Sequence, residues 1–241
     1  MRKKADDSLT KVRLLETGAR LFARYGFDAT TTRMIAAEAG LNIATMAFHF
    51  GNKENFFHQV LLDTANHIRS YYEPLGRQVQ SLREAGELDR EKAWELICRY
   101  VDLVLSIVAN MQEPYTLSLL FHEQNQRLFP DRPITRVICR DAESILQTLL
   151  ITYWGGTGSQ TAVVVSRIVN GSLITLGEHP MFIRRSLGLE DDAELSEEVI
   201  AEIREYTLNS IRAYRPAESN VQTHSGACCV SSCCCPDQSR R

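Results

Sequence analysis

Residues 21–54 read LFARYGFDATTTRMIAAEAGLNIATMAFHFGNKE, and this stretch decides the fold. Its apolar residues recur three and four positions apart, as they do on one face of a helix. Thr31 or Thr32 can cap a short helix that Gly40 ends, and Asn42 can cap a second short helix. Two short helices on either side of a glycine-containing turn form the helix-turn-helix pattern. We therefore predict a helix-turn-helix here.

The second of these helices is predicted to present its outer face to the DNA major groove. The small core that the two helices share is predicted to hold Ile35, Leu41, Met46 and Phe50. The remaining side chains of the second helix are mostly small or apolar, which favours methyl contacts with thymine over bidentate base contacts. Part of the specificity is then expected from DNA shape and from the basic arm at residues 2–4.

Phosphate contacts are expected around the start of the next helix. Lys53 adds a positive charge to the free backbone N–H groups of a helix N-terminus, and Arg33 and His49 add further donors. A lysine is otherwise mildly unfavourable at a helix start, which favours a phosphate partner. The predicted DNA-binding residues are Arg33, Asn42, Ile43, Ala44, Thr45, Ala47, Phe48, His49 and Lys53.

Helical spacing continues on both sides of this stretch, whereas alternating, strand-like runs are missing from the sequence. Before it, one apolar face is predicted to carry Leu9, Val12, Leu15, Ala19 and Phe22. After it, a helix is predicted from Lys53 to about Tyr72, before Pro74. Further helices are predicted at roughly 75–85, 90–112, 115–128, 134–154, 159–177 and 195–214, with a polar connection at 178–194.

These elements predict an all-α fold. An N-terminal three-helix helix-turn-helix domain, residues 1–55, is followed by a larger helical domain for ligand binding and dimerisation, residues 56–215. Residues 216–241 are rich in serine, glutamine and cysteine, so we predict a disordered tail.

The charges divide along the same boundary. The 241 residues carry 27 Lys and Arg against 30 Asp and Glu, for a formal net charge of −3. Residues 1–55 have a net charge of +3, and the remainder has a net charge of −6. A hydrophobic fraction of 44% excludes disorder of the whole chain. A basic N-terminal part on an acidic body indicates that any nucleic acid binds the N-terminal part.

The sequence predicts a cytoplasmic protein with no membrane partner. The first seven residues are polar and do not resemble a secretory signal. The uncharged run at residues 144–166 contains the glycine-rich segment 155–159, which would leave backbone groups unsatisfied in a bilayer. We interpret that run as two helix segments joined by a turn.

The stretch from Leu21 to Leu41, followed by FHFGNKE at residues 48–54, resembles the DNA-binding domain of the TetR family of transcriptional regulators. Residues 42–54 are most similar to its CecR-like branch. The resemblance implies a homodimeric repressor, not an enzyme, which a small-molecule effector releases from a palindromic operator. It also implies that the last two long helices pair between copies and that no cofactor is required. Phe48 departs from the tyrosine usual there, so a hydroxyl contact to phosphate is lost.

A pocket for the effector is predicted in the larger domain. Apolar walls with a few polar groups are typical of such pockets. Asn170 is polar on an otherwise apolar stretch, and the other candidates flank the helix break at Pro114. The predicted pocket residues are Met111, Tyr115, His122 and Asn170.

Five cysteines crowd the end of the chain: Cys228, Cys229, Cys233, Cys234 and Cys235. Closely spaced thiolates are soft ligands, so a soft metal or metalloid is an alternative effector. A redox-active tail and an inert tail are the other interpretations.

A protein of a different class is also compatible with an all-α pattern, namely a small-molecule-binding or catalytic protein that does not contact DNA. The sequence disfavours this hypothesis. His122-Glu123 begins a zinc-protease pattern that lacks its second histidine, and the 155–159 glycine run lacks the Lys-Ser/Thr of a phosphate loop. We predict no catalytic residues.

Overall fold

The computed structural model describes residues 2–109, 115–125, 129–178, 180–190, 193–214 and 216, and these contain no strand. The predicted all-α fold is confirmed. The helices are α1 (Arg2–Ala29), α2 (Thr32–Glu38), α3 (Ile43–Phe50), α4 (Lys53–Glu84), α5 (Arg90–Ala109), α6 (Tyr115–Asn125), α7 (Pro133–Arg136), α8 (Glu143–Tyr153), α9 (Ser159–Glu178), α10 (Pro180–Ser186) and α11 (Glu197–Ala213). A π-helical turn, Val137–Ala142, joins α7 to α8.

An aromatic cluster joins α1 to α4 and forms the centre of the N-terminal unit, which we call the head (α1–α3). The ring of Phe22 lies 4.6 Å from Phe57, 5.9 Å from Phe56 and 6.1 Å from Phe27, measured between centroids. Phe22 and Phe56 are fully buried. Phe, with its large apolar surface, contributes strongly to such a core.

The end of α1 depends on a glycine. Gly26 has φ 75° and ψ 174°, a conformation that a side chain would strain, and it kinks α1 near its C-terminus. The hydroxyl of buried Thr30 then donates to the carbonyl oxygens of Gly26 at 2.7 Å and Leu21 at 3.2 Å. These bonds fix the chain before α2 begins.

The predicted apolar face of α1 is wrong in its first turns. Leu9 is 69% exposed and Val12 is also exposed, whereas Leu14 is fully buried. Gly18 lies so close to α4 that a Cβ there would be 2.6 Å from the Phe56 ring. The face of α1 that packs on α4 therefore differs from the one that the spacing of apolar residues predicted.

The predicted end of α4 before Pro74 is also wrong, because α4 continues through Pro74 to Glu84. An internal proline costs about 3 kcal/mol. Leu75 and Val79 are buried beyond it, and burial of such side chains contributes about 1.5–3 kcal/mol each. The burial offsets the cost, so the helix persists.

The described remainder of the chain (α4–α11), which we call the body, surrounds a core shared by α4, α5, α8 and α9. Two further predictions need correction there. The predicted 134–154 helix is interrupted by the π-helical turn, and the predicted polar connection at 178–194 contains α10. Proline suits the first position of a helix, and Pro180 begins α10.

Buried Glu123 on α6 holds the start of α7. Its carboxylate accepts hydrogen bonds from the backbone N–H groups of Ile134 at 2.9 Å and Thr135 at 2.7 Å, and from the Thr135 hydroxyl at 2.6 Å. Helix N-termini carry free N–H donors, and a carboxylate satisfies them well. The position of α7 is therefore tied to α6.

None of the described helices is both long and apolar enough to cross a membrane.

Candidate DNA interface and effector site

The two helices of the predicted motif are held by local caps. The Thr31 hydroxyl accepts from Met34 N at 3.2 Å at the start of α2, and Asn42 Oδ1 accepts from Ala44 N at 2.9 Å at the start of α3. Gly40, with φ 64°, turns the chain between them. Each signal that predicted the motif has a physical counterpart.

The outer face of α3 is apolar and open. Phe48 is 82% exposed, and Ile43, Ala44 and Ala47 are exposed beside it. Met46 is buried on the opposite face and belongs to the same apolar core as Ile35 of α2. An uncharged face made of small side chains and one bare ring can approach base edges closely and contact methyl groups.

The polar candidates surround this face. Arg33 is exposed on α2, and Thr45 and His49 are half-buried on α3. The side-chain oxygen Oδ1 of Asn42 caps α3, so the side-chain N–H₂ group of Asn42 is the one that remains for DNA.

Lys53, the first residue of α4, makes two contacts with the head. Its ammonium group lies 4.2 Å from the centre of the Phe27 ring and 3.4 Å from the carbonyl oxygen of Asp28. A cation near the last carbonyls of a helix is favourable, so Lys53 also stabilises the end of α1. Asn52 Oδ1 caps α4 through Asn55 N at 2.7 Å.

Arg13 is a cation of this region that the sequence did not single out. A Cβ at Gly40 would lie 3.0 Å from its Nη2 atom, so the guanidinium rests against the turn between α2 and α3. Arg13 lies on α1, outside the helix-turn-helix segment, so nothing in the sequence pattern linked it to this turn.

In the body, the predicted pocket residue Asn170 belongs to a buried polar cluster. The Tyr100 hydroxyl donates to Asn170 Oδ1 at 3.1 Å, and Asn170 Nδ2 lies 2.9 Å from the Tyr100 oxygen. Both side chains are buried, and the Tyr72 ring is 5.9 Å from the Tyr100 ring.

Glu143 completes this cluster and was not predicted. Its side chain is 2% exposed, and Arg167 Nη1 lies 3.2 Å from its Oε1 atom. Oε1 has no hydrogen-bond donor in good alignment within the described part of the chain. Burial raises the pKa of the Glu143 carboxyl, against opposing effects of Arg167 and a hydrogen bond from Asn170. Burial likewise raises the pKa of Tyr72 and Tyr100.

A groove of about 630 Å³ lies in front of the cluster, between α4 and the π-helical turn with α8. Tyr72 lines it and links it to the buried cluster, while Arg69, Arg77 and Arg83 lie along α4. Its volume is in the range of small-molecule sites. π-helical turns are frequent at such sites.

Residues 14–60 match the family described as "Bacterial regulatory proteins, tetR family". The N-terminal part of the chain is therefore that of a TetR-family regulator. The HTH-type transcriptional dual regulator CecR of Shigella flexneri is 24% identical over 177 residues, which cover 72% of this chain and 79% of that protein. At this identity, the likeness to CecR stays a resemblance.

Solved structures share the fold of this chain. AibR, in complex with isovaleryl coenzyme A and operator DNA, matches with a TM-score of 0.54 at 16% identity, over 83% of this chain and 97% of that chain. FadR of Bacillus subtilis, in complex with stearoyl-CoA, matches with a TM-score of 0.51 at 12% identity, over 84% and 97%.

Among the other predicted site residues, His122 does not line the groove. His122 lies at the junction with the head, where its Nε2 is 3.3 Å from the Ala23 carbonyl oxygen. Tyr115 begins α6, and Met111 lies outside the described residues. The five clustered cysteines also lie outside them, and the described residues contain no group of three potential metal ligands. The comparisons give no support to metal sensing.

Proposed function

We propose that this TetR-family regulator is a homodimeric repressor that a small molecule releases from a palindromic operator. The open apolar face of α3, with Phe48 largely exposed, carries this proposal. Its side chains would contact thymine methyls and sugars, while Arg33, Thr45, His49 and Lys53 would contact phosphates. Lys53 can stabilise the end of α1 and also contact a phosphate, since its two contacts with the head leave N–H donors of the ammonium group.

A second copy of the chain would cover one face of α9. Val163, Val164 and Ile168 are exposed there, and Gly171 and Ser172 continue the same face. Small residues allow two helices to approach closely, and exposed apolar patches of this kind mark interfaces. Tyr206 on α11 is also exposed, in keeping with pairing through α9 and α11. A two-fold dimer would present both α3 helices to one duplex.

The effector would occupy the groove between α4 and α8 and act on the buried Tyr100–Asn170–Glu143 cluster behind it. A ligand there would move α7 and α8, and Glu123 ties α7 to α6. His122, the neighbour of Glu123, contacts the end of α1 in the head. Binding would thus shift the protein from a head arrangement that fits the operator to one that does not. The size of this shift is set by the difference in effector affinity between the two arrangements.

The DNA-binding role is tested by selecting duplexes from a random pool with the full chain. We expect an enriched palindrome, and we expect the protein to lower transcription from a promoter that overlaps it. Ala44→Asp places a carboxylate on the DNA-facing side of α3 and should weaken binding about 100-fold, with Ala85→Asp at the end of α4 as the matched control. No enriched sequence, equal binding by both variants, or increased transcription would contradict the repressor.

The effector site is tested on that duplex with isovaleryl-CoA and stearoyl-CoA as first probes, followed by a wider metabolite set. We expect a releasing compound whose half-maximal concentration rises about tenfold in Glu143→Gln. Glu91→Gln, an exposed glutamate at the start of α5, is the control. Unchanged release by Glu143→Gln would remove the buried cluster from the effector site.

A further inference from the structure

The exposed side chains of α3 form an apolar stripe along its outer face. Ile43 and Ala47 lie one helical turn apart, as do Ala44 and Phe48, and all four are exposed. The sequence of α3, IATMAFHF, contains no aspartate, glutamate, lysine or arginine. The four side chains of the stripe therefore present only carbon and hydrogen to a partner.

Phe48 is the largest member of the stripe, and other rings support it from behind. Its ring is 82% exposed and meets the His49 ring edge-on, with 5.2 Å between the ring centres. The His49 ring lies 6.1 Å from the Phe50 ring, which packs 4.8 Å from the ring of buried Phe56. This series of rings connects Phe48 to the core, so the exposed ring loses little freedom when it binds a partner.

A bare phenyl ring can distinguish bases only by the apolar groups that they expose. In the major groove the apolar group of thymine is the methyl on C5, which adenine, guanine and cytosine lack. 5-Methylcytosine carries a methyl on the same carbon, whereas its hydrogen-bonding groups are those of cytosine. The stripe has no polar group with which to sense that difference, and the polar residues Asn42 and Thr45 lie nearer the start of α3. It should therefore treat thymine and 5-methylcytosine alike.

We propose that Phe48 reads the 5-methyl group of a pyrimidine, so that 5-methylcytosine can replace thymine at the base that Phe48 contacts. The proposal rests on operator binding by α3 and names the chemical group that this surface reads. Uracil and cytosine lack the methyl and would bind more weakly at that position. Methylation of cytosine would thereby create operator sites that the unmodified sequence lacks.

The test uses the full chain and the operator duplex that it selects from the random pool. Each thymine of one half-site, together with its symmetry mate, is replaced by deoxyuridine, which removes only the methyl groups. At one position we expect affinity to fall about fifteenfold, because burial of one such carbon group contributes about fourfold and both half-sites lose one. Cytosine at that position should bind as weakly as deoxyuridine, and 5-methylcytosine should restore affinity to within about threefold of thymine.

Phe48→Ala should bind the thymine duplex more weakly and show no difference between thymine and deoxyuridine at that position. The ring is largely exposed, so we expect this variant to fold, which circular dichroism checks. Tyr71→Ala removes an exposed ring from α4 in the body. It is the matched control and should retain the full difference between thymine and deoxyuridine.

A deoxyuridine scan that leaves affinity unchanged at every thymine would overturn the proposal while operator binding stands. The same holds for a methyl effect that persists in Phe48→Ala, or for 5-methylcytosine that binds no better than cytosine. A chain that selects no duplex would overturn operator binding and methyl reading together, so the two failures are distinguishable.

Discussion

Replacing Ile168 by glutamate is expected to convert the proposed dimer to a monomer and to lower operator affinity by about 100-fold or more. Ile168 is 61% exposed at the middle of α9, between Val164 and Gly171 on the same face. In the proposed two-fold interface each copy would bury a new unpaired carboxylate, which is strongly unfavourable. Sedimentation equilibrium gives the oligomeric state, and titration of the selected duplex gives the affinity.

Gln124→Glu adds the same charge at an exposed position on α6 and should leave both measurements near those of the parent chain. A single head retains one half-site, and loss of the second removes its share of the binding free energy. A dimer that survives Ile168→Glu with full operator affinity would place the interface elsewhere.

Replacing Phe22 by alanine is expected to lower the free energy of unfolding by about 3–5 kcal/mol. Its ring is fully buried and lies within about 6 Å of three other phenylalanine rings, which join α1 to α4. The change leaves a cavity in a core too small to refill it. Urea unfolding followed by circular dichroism measures the loss, and operator affinity should fall with it.

Tyr25→Ala is the comparison, because Tyr25 is an exposed aromatic on the same helix. Surface substitutions usually change stability by about 0.5 kcal/mol or less. If Phe22→Ala cost no more than Tyr25→Ala, the aromatic cluster would not be what holds the head together.

The helix-turn-helix could be predicted because its signals are local. Thr31 and Asn42 cap helices within three residues of themselves, and Gly40 adopts a conformation that its own chemistry allows. These contacts involve only residues that are neighbours in sequence, so α2 and α3 could be predicted from the sequence alone.

Elements whose limits depend on distant partners were predicted less well. The face of α1 is set by α4, through the approach at Gly18, and the continuation of α4 past Pro74 is set by burial of Leu75 and Val79. Both effects depend on packing against other helices, which the spacing of apolar residues within one helix does not reveal. Local rules therefore gave the helices but not all their faces and ends.

The candidate effector site shows the same division. Asn170 could be singled out as a polar residue on an apolar stretch, and the structure places it in a polar cluster. Tyr72, Tyr100 and Glu143 come from three other helices, and each alone looks like an ordinary core or surface residue. Only the packing of α4, α5, α8 and α9 brings them together.

The unbroken course of α4 has a mechanical consequence. Its 32 residues form one rod about 48 Å long, at about 1.5 Å per residue. Lys53 stands at one tip, beside α3, and the groove lies along the other half. Rotation of this rod by only about 5° would carry its tip about 4 Å, slightly more than the 3.4 Å rise of one base step. In the proposed dimer, a pivot of this size would be enough to lose registry with a duplex.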